Sequence, residues 1–176
     1  KYPDQAHQIA TLLRDWKREM RDATFRRDGV VDKFIGDCIF YHCGAWTQAL
    51  PEKLALDAVA IALDCVAATE KLRRRMADYG FAAEDDLRLS TGIHVGANLV
   101  VGDIGGEFTA IGSDVNVAAR IQDHERASGR ILVSRAVRDL IEPALGQLGS
   151  DERRVTLGPP VTIELKGVGG IEVYEV

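Results

Sequence analysis

Several things are scarce in this chain, and each scarcity excludes a class. Its 176 residues hold only 3 cysteines, Cys38, Cys43 and Cys65, an odd set without metal-ligand spacing. That excludes a disulfide-stapled scaffold and suits a reducing, cytoplasmic compartment in which thiols act as small buried apolar side chains. The 4 histidines, His7, His42, His94 and His124, share no spacing with one another or with a carboxylate framework, so none reads as a metal ligand. Aromatic residues make up 6%, and Trp16 and Trp46 read as core or interface side chains rather than base-stacking platforms. Basic residues are outnumbered, 22 against 27 acidic, for a net charge of -5, which argues against a nucleic-acid-binding face. No apolar run approaches the roughly 18 residues of a membrane span, and no signal peptide opens the chain. No internal repeat or low-complexity segment is present. What is there is 46% hydrophobic residue, enough for one ordinary domain to bury a core without staples. The opening Lys1-Tyr2-Pro3 is not an initiator sequence, so a longer protein, with something upstream, is expected.

Ile9, Leu12, Leu13, Trp16 and Met20 recur at helical spacing and predict a helix from Asp4 to about Arg27, ended by Gly29. Val30 to Ile35 and Cys38 to His42 are β-prone runs separated by Gly36-Asp37, a hairpin signal. Pro51 opens an amphipathic stretch from Glu52 to Tyr79, closed by Gly80, whose basic run Lys71, Arg73, Arg74, Arg75 reads as a solvated face. Alternation from Leu87 to Val95 predicts a half-buried strand, followed by strands at Asn98 to Ile104 and Glu107 to Ile111. Gly112-Ser113-Asp114 should cap a helix from about Val115 to Glu125. A strand at Ile131 to Val133, a helix at Arg135 to Ile141, a loop from Gly146 to Pro160 with at most an edge strand, and strands near Val161 to Lys166 and Ile171 to Val176 complete the pattern. Irregular alternation with hairpins predicts α+β, with a mainly antiparallel sheet.

Three groups of residues can carry chemistry. In Asp32-Lys33-Phe34-Ile35-Gly36-Asp37, the Asp37 carboxylate sits in a tight turn, where it could hold a hard cation through oxygen. Taken alone, Gly-Asp is also simply good turn chemistry, and a strand lysine is ordinarily solvated. In Gly112-Ser113-Asp114-Val115-Asn116-Val117-Ala118-Ala119-Arg120, Asn116 and Arg120 stand four apart and share a helical face. A guanidinium with a neighbouring amide suits phosphate or ribose, whereas the plainer reading pairs Arg120 with Asp123. In Glu164-Leu165-Lys166-Gly167-Val168-Gly169-Gly170, a lysine beside a glycine-rich turn can reach a phosphate, although such turns need glycine for backbone reasons alone.

The three in this order resemble the catalytic domain of the class III nucleotidyl cyclases, the adenylyl and guanylyl cyclases. The matching stretches are VVDKFIGDCIF from Val30, STGIHVGANLVVGDIGG from Ser90, FTAIGSDVNVAARI from Phe108 and ELKGVGGIEVYEV from Glu164, so the resemblance covers essentially residues 1–176. It implies a ferredoxin-like α+β sandwich with helices mainly on one face. It also implies conversion of ATP to cyclic AMP and pyrophosphate, two Mg²⁺ or Mn²⁺ ions per site, and a homodimer with shared active sites under an upstream regulatory domain. By that resemblance Asp37 is a metal ligand, and Lys33 and Thr109 read the purine. Asn116 orients the ribose, Arg120 stabilises charge on the reacting phosphate, and Lys166 binds the terminal phosphates. Lys33 matches the adenylyl rather than the guanylyl pattern. Many adenylyl cyclases carry Asp at the position of Thr109, whereas a subgroup similar to the bicarbonate-responsive cyclases carries Thr there. A hydroxyl both donates and accepts, so Thr109 is expected to discriminate less firmly than Asp.

The chain departs from the family in one respect. The first metal carboxylate of these enzymes lies on a strand ahead of the first helix, and nothing before Asp4 resembles it. The expectation is that this strand was left out of the chain; a degenerate, regulatory nucleotide-binding partner is the alternative. A diguanylate cyclase is disfavoured, because Gly105-Gly106-Glu107-Phe108 is one acidic residue short of GG[DE]EF and reads better as a hairpin turn.

Overall fold

The computed structural model describes residues 5–82, 87–150 and 153–176. Helix α1 (Ala6–Phe25) buries Trp16, Met20, Ala23 and Thr24, a stripe at helical spacing, against α2 (Pro51–Arg73). The sequence assigns Gly29 to end α1 by its backbone freedom, but the left-handed residue is Asp28, at φ 55°. Gly29 is required for packing instead: a Cβ there would lie 2.7 Å from Ile61 Cδ1 and 2.8 Å from Thr24 Cγ2. The second predicted helix also ends early, at Arg73, and resumes as a 3₁₀ turn over Met76–Tyr79 before Gly80. The tighter spacing turns both Met76 and Tyr79 into the α1–α2 core, where the Tyr79 hydroxyl donates to Asp15 at 2.9 Å.

Strand β1 (Val30–Ile35) pairs antiparallel with β2 (Cys38–His42), and the hairpin rests on α1 through Phe34, Ile39 and Tyr41. The long strand predicted from Leu87 shrinks to β3 (Thr91–Ile93). Its partner is short, and Leu87 and Leu89 are drawn into the α1–α2 core instead. Strands β4 (Leu99–Ile104) and β5 (Glu107–Gly112) form a second hairpin, turning at Gly105-Gly106 as expected. Helix α3 (Ser113–Asp123) follows, then β6 (Ile131–Ser134) and α4 (Arg135–Ile141). Two-residue strands β7 (Gly149–Ser150) and β8 (Arg153–Arg154) precede β9 (Val161–Leu165) and β10 (Gly169–Glu175).

The central sheet runs β3-β6-β10-β9, parallel between β3 and β6 and antiparallel elsewhere, which gives the expected α+β class. On β6, Ile131 and Val133 face the core shared with α2 and α4, whereas Leu132 faces α3 on the opposite side. One helix therefore covers the second face. It lies directly on β3, because a Cβ at Gly92 would come within 2.5 Å of the Ala118 carbonyl and the Gln122 amide. Ser113 belongs to α3 rather than capping it; Gly112 precedes the helix, and no side chain caps it. The cysteines divide. Cys65 is buried and Cys43 half-buried, with burial pushing both thiols up to about 12, but Cys38 is exposed beside the hairpin turn, contrary to expectation. Among the described residues no helix is long and apolar enough to cross a membrane.

Candidate active site

The β1–β2 ladder slips between Val31 and Lys33, so Asp32 is the extra residue of a β-bulge. A bulge re-aims the side chain it carries. Here the Asp32 side chain, 0% exposed, reaches β5. Its two oxygens accept from the Thr109 hydroxyl at 2.8 and 2.9 Å, and Oδ2 also accepts from the Ala110 amide at 2.7 Å. The Lys33 ammonium lies 3.2 Å from Oδ1, and His42 Nε2 lies 3.9 Å from Oδ2. A carboxylate this deep is tolerated because its lone pairs are met by a hydroxyl, an amide and a cation. Lys33 and Thr109, distant in sequence, are thus joined through a residue that sequence reasoning overlooked. Asp32 stands in the quoted motif, but only the bulge reveals its direction.

The second cluster joins Arg120 of α3 to Lys166 of the β9–β10 turn, where an Arg120 guanidinium N–H donates to the Lys166 carbonyl. Arg120 therefore reaches away from its own helix rather than serving only as a surface partner for Asp123. A guanidinium carries five donors, so four remain for an anion. Asn116, one turn earlier, is exposed, as is the Lys166 side chain. Asp37 is exposed in the β1–β2 turn and, among the described residues, joins neither cluster.

The base of α3 is held by a further network. His94 Nδ1 lies 2.9 Å from the Ser134 hydroxyl and Nε2 lies 3.5 Å from Asp114, whose other oxygen accepts from the Asn98 amide at 2.6 Å. Ser134 is almost fully buried and offers no nucleophile to a substrate. The network instead fixes the helix that bears Asn116 and Arg120. Burial pushes His94 below its ordinary range, with Asp114 opposing more weakly, and burial does the same to His42 against Asp32. The unfolded chain takes up these protons near pH 6.5, so the contribution is fully present above about pH 6.5. It is lost as pH falls through the lower folded values. The urea midpoint is expected to drop between pH 7.5 and 5.5, and His94→Gln should flatten part of that decline. A midpoint constant over this window would refute the assignment.

Among the described residues no three His, Cys, Asp or Glu side chains converge on a cation position. Asp37 fits as one carboxylate donor to a hard cation, which commonly completes its shell with substrate phosphates and water. Among the described residues no comparable donor set for a second ion is present.

A lysine and a hydroxyl tied together on two hairpins, and an arginine held by the backbone of a lysine at a glycine turn, are groups that suit a nucleoside polyphosphate. The comparisons agree with that class. A family model described as the adenylate and guanylate cyclase catalytic domain matches residues 2–176, and the chain belongs to this family. Among solved structures it is similar to the adenylyl cyclase CyaB from P. aeruginosa, with 26% identity and a TM-score of 0.84 over 97% of this chain and 83% of that one. It is also similar to the guanylyl cyclase Cya2, with 25% identity and a TM-score of 0.78 over 97% and 80% of the two chains. A third likeness, in fold alone, is to the guanylate cyclase domain of RhGC from Catenaria anguillulae in complex with GTP, at 21% identity and a TM-score of 0.71 over 97% and 84%. Curated protein sequences return no match. The chain is a class III nucleotidyl cyclase catalytic domain, and relatives of both nucleotide preferences surround it.

Proposed function

We propose that this domain is an adenylyl cyclase that converts ATP to 3′,5′-cyclic AMP and pyrophosphate. The observation that carries the choice of ATP is the cluster of Lys33, Asp32 and Thr109. Lys33 donates to a purine ring nitrogen, and Thr109 accepts from the exocyclic amine of adenine. The 3′ hydroxyl of ATP gives up its proton to solvent as its oxygen forms a bond to the α-phosphorus, the bond from that phosphorus to the bridging oxygen breaks, and pyrophosphate leaves with its electron pair. Asn116 orients the ribose, Arg120 neutralises charge building on the reacting phosphate, and Lys166 holds the terminal phosphates. Asp37 would supply a carboxylate ligand to Mg²⁺ or Mn²⁺, and the bound ion would lower the pKa of the attacking hydroxyl and screen the leaving pyrophosphate.

The working unit in this proposal is a homodimer with sites shared between subunits. Apolar side chains stand exposed on and around the two hairpins: Ile35, Val100 and Ile111, with Trp46 stacked on Phe108 at 4.5 Å. Large exposed apolar patches mark interaction surfaces, and a second copy of this chain is the proposed occupant.

The test is nucleotide turnover by the full-length protein with ATP and GTP compared. Wild type should favour ATP. Lys33→Glu should lose most ATP activity, because a carboxylate repels the ring nitrogen that the ammonium satisfies and stands beside Asp32, a second negative charge. An unchanged ATP:GTP ratio in Lys33→Glu would remove Lys33 from base recognition.

A further inference from the structure

We propose that Asp32 is the positioning residue that makes Thr109 a pure hydrogen-bond acceptor and so sets the preference for a 6-amino purine. This rests on the reading above in which Thr109 faces the base. The argument is one of proton count. A threonine hydroxyl has one proton and two lone pairs, and in isolation it can serve a donor or an acceptor equally well. A carboxylate is acceptor-only, and this one is surrounded by donors: the Ala110 amide, the Lys33 ammonium and the Thr109 hydroxyl. With 2.8 and 2.9 Å to the two oxygens, the Thr109 proton is committed to Asp32, and only lone pairs remain on the outward side of its oxygen. An exocyclic amine meets them with an N–H; the 6-oxo group of guanine would meet lone pair with lone pair. Discrimination by leaving polar groups unpaired is the strong kind.

The geometry limits how Asp32 can act. Its side chain is 0% exposed, whereas Thr109 keeps a 5% margin and Lys33 is 38% exposed at its side chain. Asp32 therefore touches no nucleotide and works only through its two neighbours. The same carboxylate also restrains the Lys33 ammonium, so the donor and the acceptor of the base-reading pair are held by one group. In this proposal Thr109, with its proton held by Asp32, presents only lone pairs to the base, as a carboxylate would.

The experiment measures kcat/KM for ATP and GTP in the full-length protein, with circular dichroism and thermal melting as fold controls. Both Asp32 oxygens lie within reach of the Thr109 hydroxyl, so the test removes them both: in Asp32→Leu, close to Asp in shape, no side-chain acceptor stands inward of Thr109. That hydroxyl is then free to turn its proton outward, where it can serve a 6-oxo group as well as a 6-amino group. The ATP:GTP ratio should fall at least about tenfold, a difference one misdirected hydrogen bond readily produces. Thr109→Val should lower the ratio comparably, and Asp32→Leu should lower it less in the Thr109→Val background than in wild type, since only its hold on Lys33 is left to lose. Should Asp32→Leu fail to fold, Thr109→Asn decides. An amide there must turn its NH₂ to Asp32 and its carbonyl to the base, so the ATP:GTP ratio should stay within about threefold of wild type, whatever the turnover. A folded Asp32→Leu with an unchanged ratio, a fully additive loss in the double variant, or a collapsed ratio in Thr109→Asn overturns the role of Asp32. A Thr109→Val ratio equal to wild type overturns the base-reading role of Thr109 itself, and this proposal with it.

Discussion

Arg120→Ala is expected to lower kcat for cyclic AMP formation by about 10³-fold, the scale of an arginine that stabilises charge at a reacting phosphorus. KM for ATP moves far less, since the contact matters most when negative charge has spread over the transferring phosphoryl group. The structure adds a reason for expecting so large a loss. Arg120 is held in place by donating to the Lys166 carbonyl, so its remaining donors are directed before substrate arrives. Arg120→Lys is no rescue: an ammonium is a point charge that cannot span the carbonyl and an anion as a planar fork does. Steady-state kinetics in Mg²⁺ with ATP varied is the measurement. A loss confined to KM recasts Arg120 as a binding residue.

The second large effect is a recovery. Asp37→Ala and Arg120→Ala should each abolish turnover in homodimers of the full-length protein, and mixing them should restore it. In a symmetric dimer whose sites take Asp37 from one subunit and Arg120 from the other, a heterodimer carries one intact site and one doubly damaged site. Random exchange makes about half the dimers mixed, and each has one good site of two, so the ceiling is about one quarter of wild type. Recovery near that value supports sharing across the interface. No recovery from subunits that demonstrably exchange, followed by different tags on the two variants, sinks the composite site. The arrangement in a single chain agrees with this design: Asp37 joins neither the Lys33–Asp32–Thr109 cluster nor the Arg120–Lys166 contact among the described residues.

The local features of this protein were legible in its amino-acid order. Gly36-Asp37 and Gly105-Gly106 specify hairpin turns, and Pro51 specifies a helix start, because turn and start chemistry depend on a few adjacent residues. The α+β class and the one-face placement of Asn116 and Arg120 follow from periodicity alone. Family membership followed as well, since the motifs are contiguous strings. What the sequence could not determine was direction over long range. The strand from Leu87 read as long because alternation does not say how long its partner is, and the partner β6 spans only Ile131–Ser134. Gly29 read as a cap because its crowding against Ile61, 32 positions away, is a packing fact. Asp32 read as nothing in particular. Its role needs a bulge to turn it inward and a second hairpin, 77 positions on, to meet it with the Thr109 hydroxyl. Tertiary structure decided that, because which donors surround a buried carboxylate depends on how the hairpins pack and not on the residues beside it in the chain.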